Sequence, residues 1–305
     1  MRNRRIAYAA VAVAALSAVV ALTVFALPAS AAKANTCPNG KVNFGVEPYD
    51  AGAKFVGAYK ALTKTLSTNL GCPVKLIINT NYTAEVEAMK AGKLDVGEFG
   101  PLGYIFAHQI AHAVPLAVFA DKNGTPVTYT AAIWVPVDSE IKTVADLKGH
   151  TIAFSDPGST SGNLMPRYAL LKAGLDPDKD VTIKFAGGHP QSLLALTSGQ
   201  VDAAEVNSQQ QATATAAGQF DTSKFRAIWR SSPIQNDPIT VRGTLPANFQ
   251  KAVKAALLKM TPTQLKLVDT ELGVDSGPLV PAKDSFYDNI RALVQLEHLK
   301  IADIG

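Results

Sequence analysis

The chain has 305 residues, 47% of them hydrophobic, and a formal net charge of +4. Three arginines of that balance lie among the first five residues, so setting residues 1–31 aside lowers +4 to about +1. A near-neutral remainder of about 270 residues excludes a basic nucleic-acid surface and a disordered chain, and it suffices for one large core or two lobes.

In chain order, residues 1–31 read as a secretory signal: a basic "MRNRR", an apolar stretch over 6–27, then "PASAA" with a cleavage option at Ala29-Ser30-Ala31. The apolar stretch is also long enough to span a bilayer, so retention as an N-terminal anchor stays open. In both cases the expected location is extracytoplasmic. Cys37 follows "ANT", which lacks the small residue and upstream aliphatic of a lipoprotein signal. With Cys72 it makes two cysteines in an exported chain, which predicts one disulfide, two free thiols being the alternative.

Short buried strands are expected at 41–46, 74–79, 94–99, 116–120, 129–135, 151–155, 181–186, 201–206, 225–229 and 238–243. Amphipathic stretches at 52–70, 83–91, 143–148, 161–173, 190–199 and 208–218 alternate with them, and the chain turns helical from about 246. This is an α/β pattern with largely parallel sheets covered by helices. Polar junctions near "PVDSEIKTVADLKG" and "RSSPIQNDP" divide it into lobe 1, residues 41–130 plus 236–305, and lobe 2, residues 131–235. Two crossings then form a hinge, and a ligand belongs in the cleft between the lobes.

The stretch "FSDPGSTSG", residues 154–162, stacks Ser159, Thr160 and Ser161 between a strand end and a helix start. Such a turn can hold an anion on unpaired helix N–H groups, carry a nucleophile, or cap the helix. A nucleophile elbow needs serine at the centre of G-x-S-x-G, and the centre here is Thr160. A hydrolase is therefore the weaker reading, and no phosphate-binding G-x-x-x-x-G-K-[ST] occurs. His108 and His112 stand four apart but lack a third ligand and the glutamate of a zinc helix, so no metal or cofactor is expected.

From "FGVEPYD" (44–50) through "TNYTAEVEAMKAGKLDVGEFGPLGYIFA" (80–107), "TVADLKGHTIAFSDPGSTSGNLMPRYAL" (143–170), "GGHPQSLLALTSGQVDAAEV" (187–206) and "SPIQNDPITVR" (232–242) to "PLVPAKDSFYDNIRAL" (278–293), the chain resembles one family. It is similar to the substrate-binding proteins of phosphate, phosphite and phosphonate ABC transporters, the phosphonate-binding family with the type II periplasmic-binding-protein fold. The resemblance implies a non-enzymatic, monomeric receptor that takes a small phosphorus oxyanion and passes it to a membrane permease. It also implies that Ser159, Thr160 and Ser161 hold the anion's oxygens, that His189 donates to it, and that Tyr49 and Tyr104 close over it from the other lobe. Asp237 in "NDP" would face a ligand P–OH, P–H or ammonium group, and Glu205 would help with an amine. A phosphonate- or phosphite-type anion is the first reading, and phosphate or another small organic anion such as a sulfonate is the alternative ligand; a sulfonate has no exchangeable proton to offer Asp237.

Overall fold

The computed structural model describes residues 37–50 and 52–304. The expected signal at residues 1–31 lies outside them, and no helix among the described residues is long and apolar enough to cross a membrane.

Thirteen strands form: β1 Val42–Val46, β2 Val74–Ile78, β3 Val96–Glu98, β4 Val114–Phe119, β5 Thr128–Tyr129, β6 Ala132–Pro136, β7 Thr151–Phe154, β8 Thr182–Phe185, β9 Ala203–Glu205, β10 Phe225–Arg230, β11 Ile234–Gln235, β12 Ile239–Val241 and β13 Leu279–Pro281. Nine α-helices accompany them: α1 Ala53–Leu70, α2 Tyr82–Lys90, α3 Pro101–Ala111, α4 Met165–Lys172, α5 His189–Thr197, α6 Ser208–Ala216, α7 Ala247–Leu258, α8 Pro262–Glu271 and α9 Asp288–Leu296.

One sheet has six strands in the order β13-β4-β12-β3-β1-β2, with β1 parallel to β2 and β3 and with β12 and β13 antiparallel to their neighbours. The second has five, β10-β6-β9-β7-β8, parallel around β7 and antiparallel around β6. This is the mixed α/β architecture of type II periplasmic binding proteins. All strands of the five-stranded sheet fall between residues 132 and 230, and those of the six-stranded sheet fall on either side of that segment. The chain thus crosses twice, and at the crossings β5 and β11 pair with each other in a two-stranded antiparallel ladder.

Period-two alternation buries both faces of the second sheet. Ile133, Val135, Ile152 and Phe154 pack with Ala169 and Leu170 of α4, while Ala132, Trp134, Ala153 and Ala204 pack with Leu193 and Leu196 of α5. In the first sheet α1 lays down Phe55, Ala58, Tyr59, Leu62 and Leu66, a three-and-four spacing that makes one apolar stripe. Gly71 ends that helix in the left-handed conformation, at φ 71°. Cys72 follows and bonds Cys37, with a Cα–Cα distance of 5.9 Å, so the disulfide ties the entry of β1 to the turn before β2.

Candidate functional site: a polar cleft between two sheets

The carboxyl ends of the parallel strands β1, β3, β7 and β9 converge on one cleft, where ligands collect in open α/β sheets. Its cavity volume is about 70 Å³, room for roughly five water-sized groups at about 10–15 Å³ each. Among the described residues no lysine or arginine lines it.

After β7 the chain turns at Asp156-Pro157-Gly158. Asp156 accepts the Gly158 N–H at 2.7 Å, and Ser159 caps a π-helical turn, Thr160–Leu164, that continues into α4. The two bracketing glycines are steric necessities. A Cβ on Gly162 would sit 1.7 Å from Ser155 Oγ, and one on Gly158 would sit 2.7 Å from Tyr82 Cβ. Each hydroxyl oxygen of the triplet already accepts an N–H: Ser159 Oγ from Gly162 at 3.0 Å, Thr160 Oγ1 from Leu102 at 2.8 Å, and Ser161 Oγ from Asn207 Nδ2 at 3.2 Å. A hydroxyl whose oxygen accepts keeps its single proton for another acceptor. Thr160 and Ser161 also hydrogen-bond Tyr129, and Ser159 meets His189, so these three buried hydroxyls would reach an anion in the cleft by exchanging those partners.

His189 opens α5 beside them, with Nε2 3.4 Å from Ser159 Oγ. Its Nδ1 meets Glu205 Oε1 at 2.8 Å, a pair with both side chains buried. Burial disfavours the charged ring, but Glu205, joined by Asp237 and Asp156, outweighs it, so the imidazole pKa lies above its ordinary value. Burial also raises the Glu205 carboxyl, against the pull of His189. Glu205 does not line the cleft; it stands behind His189 and orients the ring.

Asp237, which follows β11, lines the cleft, and burial lifts its carboxyl to about 7 against the pull of His189. Tyr49 lines it as well, but in a different sense from the expected donor. Tyr59 donates to Glu98 Oε1 at 2.8 Å, so the 2.9 Å contact between the two phenols uses the Tyr49 proton. Tyr49 is left with its oxygen lone pair as the group it presents.

Tyr104 is placed elsewhere. It is four residues past the α3 cap at Gly100, its ring packs on Tyr287 at 4.8 Å, and its hydroxyl donates to Asp284 at 2.6 Å. Four residues make about one turn, so Tyr104 lies on nearly the same face as Gly100 but one turn further along the axis, beyond the cleft lining. Tyr82, at the start of α2, and Tyr129, at the end of β5, line the cleft in its stead, together with Glu47 and Asn207. The sequence assigned none of these four; Tyr82 and Asn207 could have been found by their place at helix starts after strands.

The profile of the family described as "ABC transporter, phosphonate, periplasmic substrate-binding protein" matches residues 44–287. The phosphate-import protein PhnD of Mycolicibacterium smegmatis is 29% identical over 303 residues, which is 92% of this chain and 94% of that protein. The phosphonates-binding periplasmic protein of Escherichia coli is 26% identical, over 67% of this chain and 61% of its own. Among solved structures, PhnD1 of Prochlorococcus marinus in complex with methylphosphonate superposes with a TM-score of 0.75 at 22% identity, covering 85% of this chain and 98% of that one. That likeness is one of fold.

Proposed function

The chain belongs to the phosphonate-binding family of ABC-transporter periplasmic substrate-binding proteins, and from that premise we propose that its cleft binds a small phosphorus oxyanion, a phosphonate, phosphite or phosphate, for delivery to a membrane permease. The family is one of transport binding proteins rather than enzymes. The observation that carries the ligand class is the hydroxyl turn: three buried hydroxyls, their oxygens accepting N–H groups, line the cleft beside His189 at the start of a helix, and among the described residues no lysine or arginine lines it.

In this reading Ser159, Thr160, Ser161 and the Nε2–H of His189 donate to the anion. Asp237 accepts its proton, and Tyr82 and Tyr129 enclose it. A sulfonate, without a proton for Asp237, is the weaker ligand. Residues 131–235 form lobe 2 and residues 41–130 with 236–305 form lobe 1; the anion bridges them and stabilises the closed population. The receptor works as a monomer outside the cytoplasm, exported through residues 1–31.

Calorimetric titration of residues 32–305 with phosphate, phosphite, methylphosphonate and a sulfonate tests the reading. Wild-type protein is expected to bind a phosphorus anion near micromolar Kd or tighter, about 8 kcal/mol. Ser161→Ala should lose roughly 10- to 100-fold, the value of about 1.5–3 kcal/mol for a hydrogen bond to a charged group. Equal affinity in both proteins would remove the hydroxyl turn from the site.

A further inference from the structure

Glu47 has no assigned part in the cleft, yet its carboxylate is built into it. The residue follows β1, is 2% exposed and lines the cavity. Its Oε2 accepts the Gly100 N–H at 2.8 Å, while Oε1 has no hydrogen-bond partner among the described residues. An acid that merely capped α3 would engage further free N–H groups of the first turn, but the Leu102 N–H is already taken by Thr160 Oγ1. The spacing of "GPLGY" makes room for this arrangement, since a Cβ on Gly103 would lie 2.4 Å from Oε1.

The groups that face Glu47 are Glu85 and Tyr82 from α2, Asp237 and Asp156 from loops, and Tyr129 from β5, with His189 in the opposite wall. Two carboxylates, the buried Glu47 and the half-buried Asp237, thus share one small space with the hydroxyl turn. A tetrahedral anion stripped of protons would meet both as like charges. An anion with two O–H groups would give each a charge-assisted hydrogen bond.

Resting on the oxyanion reading above, we propose that Glu47 accepts one ligand P–OH and Asp237 the other, so that the cleft selects an anion carrying two such protons. Among small phosphorus oxyanions, monoanionic inorganic phosphate presents two P–OH groups, whereas the monoanions of phosphite and methylphosphonate present one. Burial raises both carboxyls, so the selection belongs to the complex in which they are ionised and both protons come from the ligand.

The test is calorimetry with inorganic phosphate, phosphite, methylphosphonate and sulfate from about pH 6 to 8.5, in buffers of different ionisation enthalpy that report proton uptake. Wild-type protein should prefer phosphate to phosphite and methylphosphonate by at least about tenfold, with sulfate weakest. In Glu47→Gln the amide can donate to a bare oxygen, so that gap should shrink to within about threefold, sulfate should gain, and one fewer proton should accompany phosphate binding. A Glu47→Gln protein that weakens on all four anions alike, with an unchanged proton count, would reduce Glu47 to a cap of α3 while leaving the cleft intact. A wild-type ranking with methylphosphonate or phosphite at or above phosphate overturns the inference without any variant. Failure of the wild type to bind any phosphorus anion would overturn the cleft reading itself and this inference with it.

Discussion

Glu205 does not itself line the cleft, but its hydrogen bond to His189 favours the charge of a residue that does. With Nδ1–H on Glu205, a cationic His189 can donate Nε2–H toward an anion, so that part of the affinity is present below the raised pKa and is lost as pH rises through it. Glu205→Gln removes the largest favourable charge on the ring. The loss of affinity should then begin at lower pH than in the wild type. NMR titration of the His189 imidazole measures the same shift directly, and an unmoved titration would make Glu205 a packing residue. Tyr49 carries a related lesson, because its chemistry is decided by partners behind it: the chain through Tyr59 to Glu98, whose own carboxyl burial lifts to about 8, turns an expected donor into an acceptor.

At the scale of elements, the disulfide is the clearest target. It closes a loop of 35 residues at the end of β1 opposite Glu47. Opening it by reduction, or in a Cys37→Ser, Cys72→Ser protein, should lower stability by about 3–4 kcal/mol on loop-entropy grounds. Chemical denaturation would measure this, and anion affinity in the folded protein should stay within about threefold; a large loss of affinity would mean that the clamp reaches the cleft. The ten expected strands are all present, because most carry Val, Ile, Leu or Phe between turn residues; β3 (Val-Gly-Glu) and β9 (Ala-Ala-Glu) are the least apolar of them. β5, β11 and β13 have two or three residues each, too short to leave a pattern. The hydroxyl turn was legible because strand end, Asp-Pro-Gly and helix start are local signals. Its π-helical widening was not, since that depends on Ser155 N–H reaching the Gly162 carbonyl at 3.1 Å. Tyr129 joins the lining through tertiary placement alone, and "GPLGY" drew attention to the wrong residue of a functional segment: its glycines make room for Glu47, while its tyrosine braces α9 through Tyr287 and Asp284.

Across the whole molecule the two sheets are joined by more than the covalent crossings. Leu164 and Met165, which follow β7, pack in the apolar cluster of Leu102 and Phe106 of α3, and Thr160 bonds the Leu102 N–H. On the proposed reading these contacts would favour the closed form before any anion enters, and the anion would add to them. X-ray scattering should report a compact radius of gyration of roughly 18 Å that contracts on adding phosphate. Leu164→Ala should start from a larger radius and bind more weakly, its closed population having lost apolar contact of about 2–5 kcal/mol. An invariant radius in both proteins would remove lobe movement from the mechanism. The ladder between β5 and β11 adds a constraint of another kind. Two independent tethers would let the halves slide, twist and swing, but strands hydrogen-bonded side by side act as one strip, leaving a single soft rotation. Thermal motion would then be channelled along the coordinate that opens and shuts the cleft, and the opposing walls would meet in the same register at every closure.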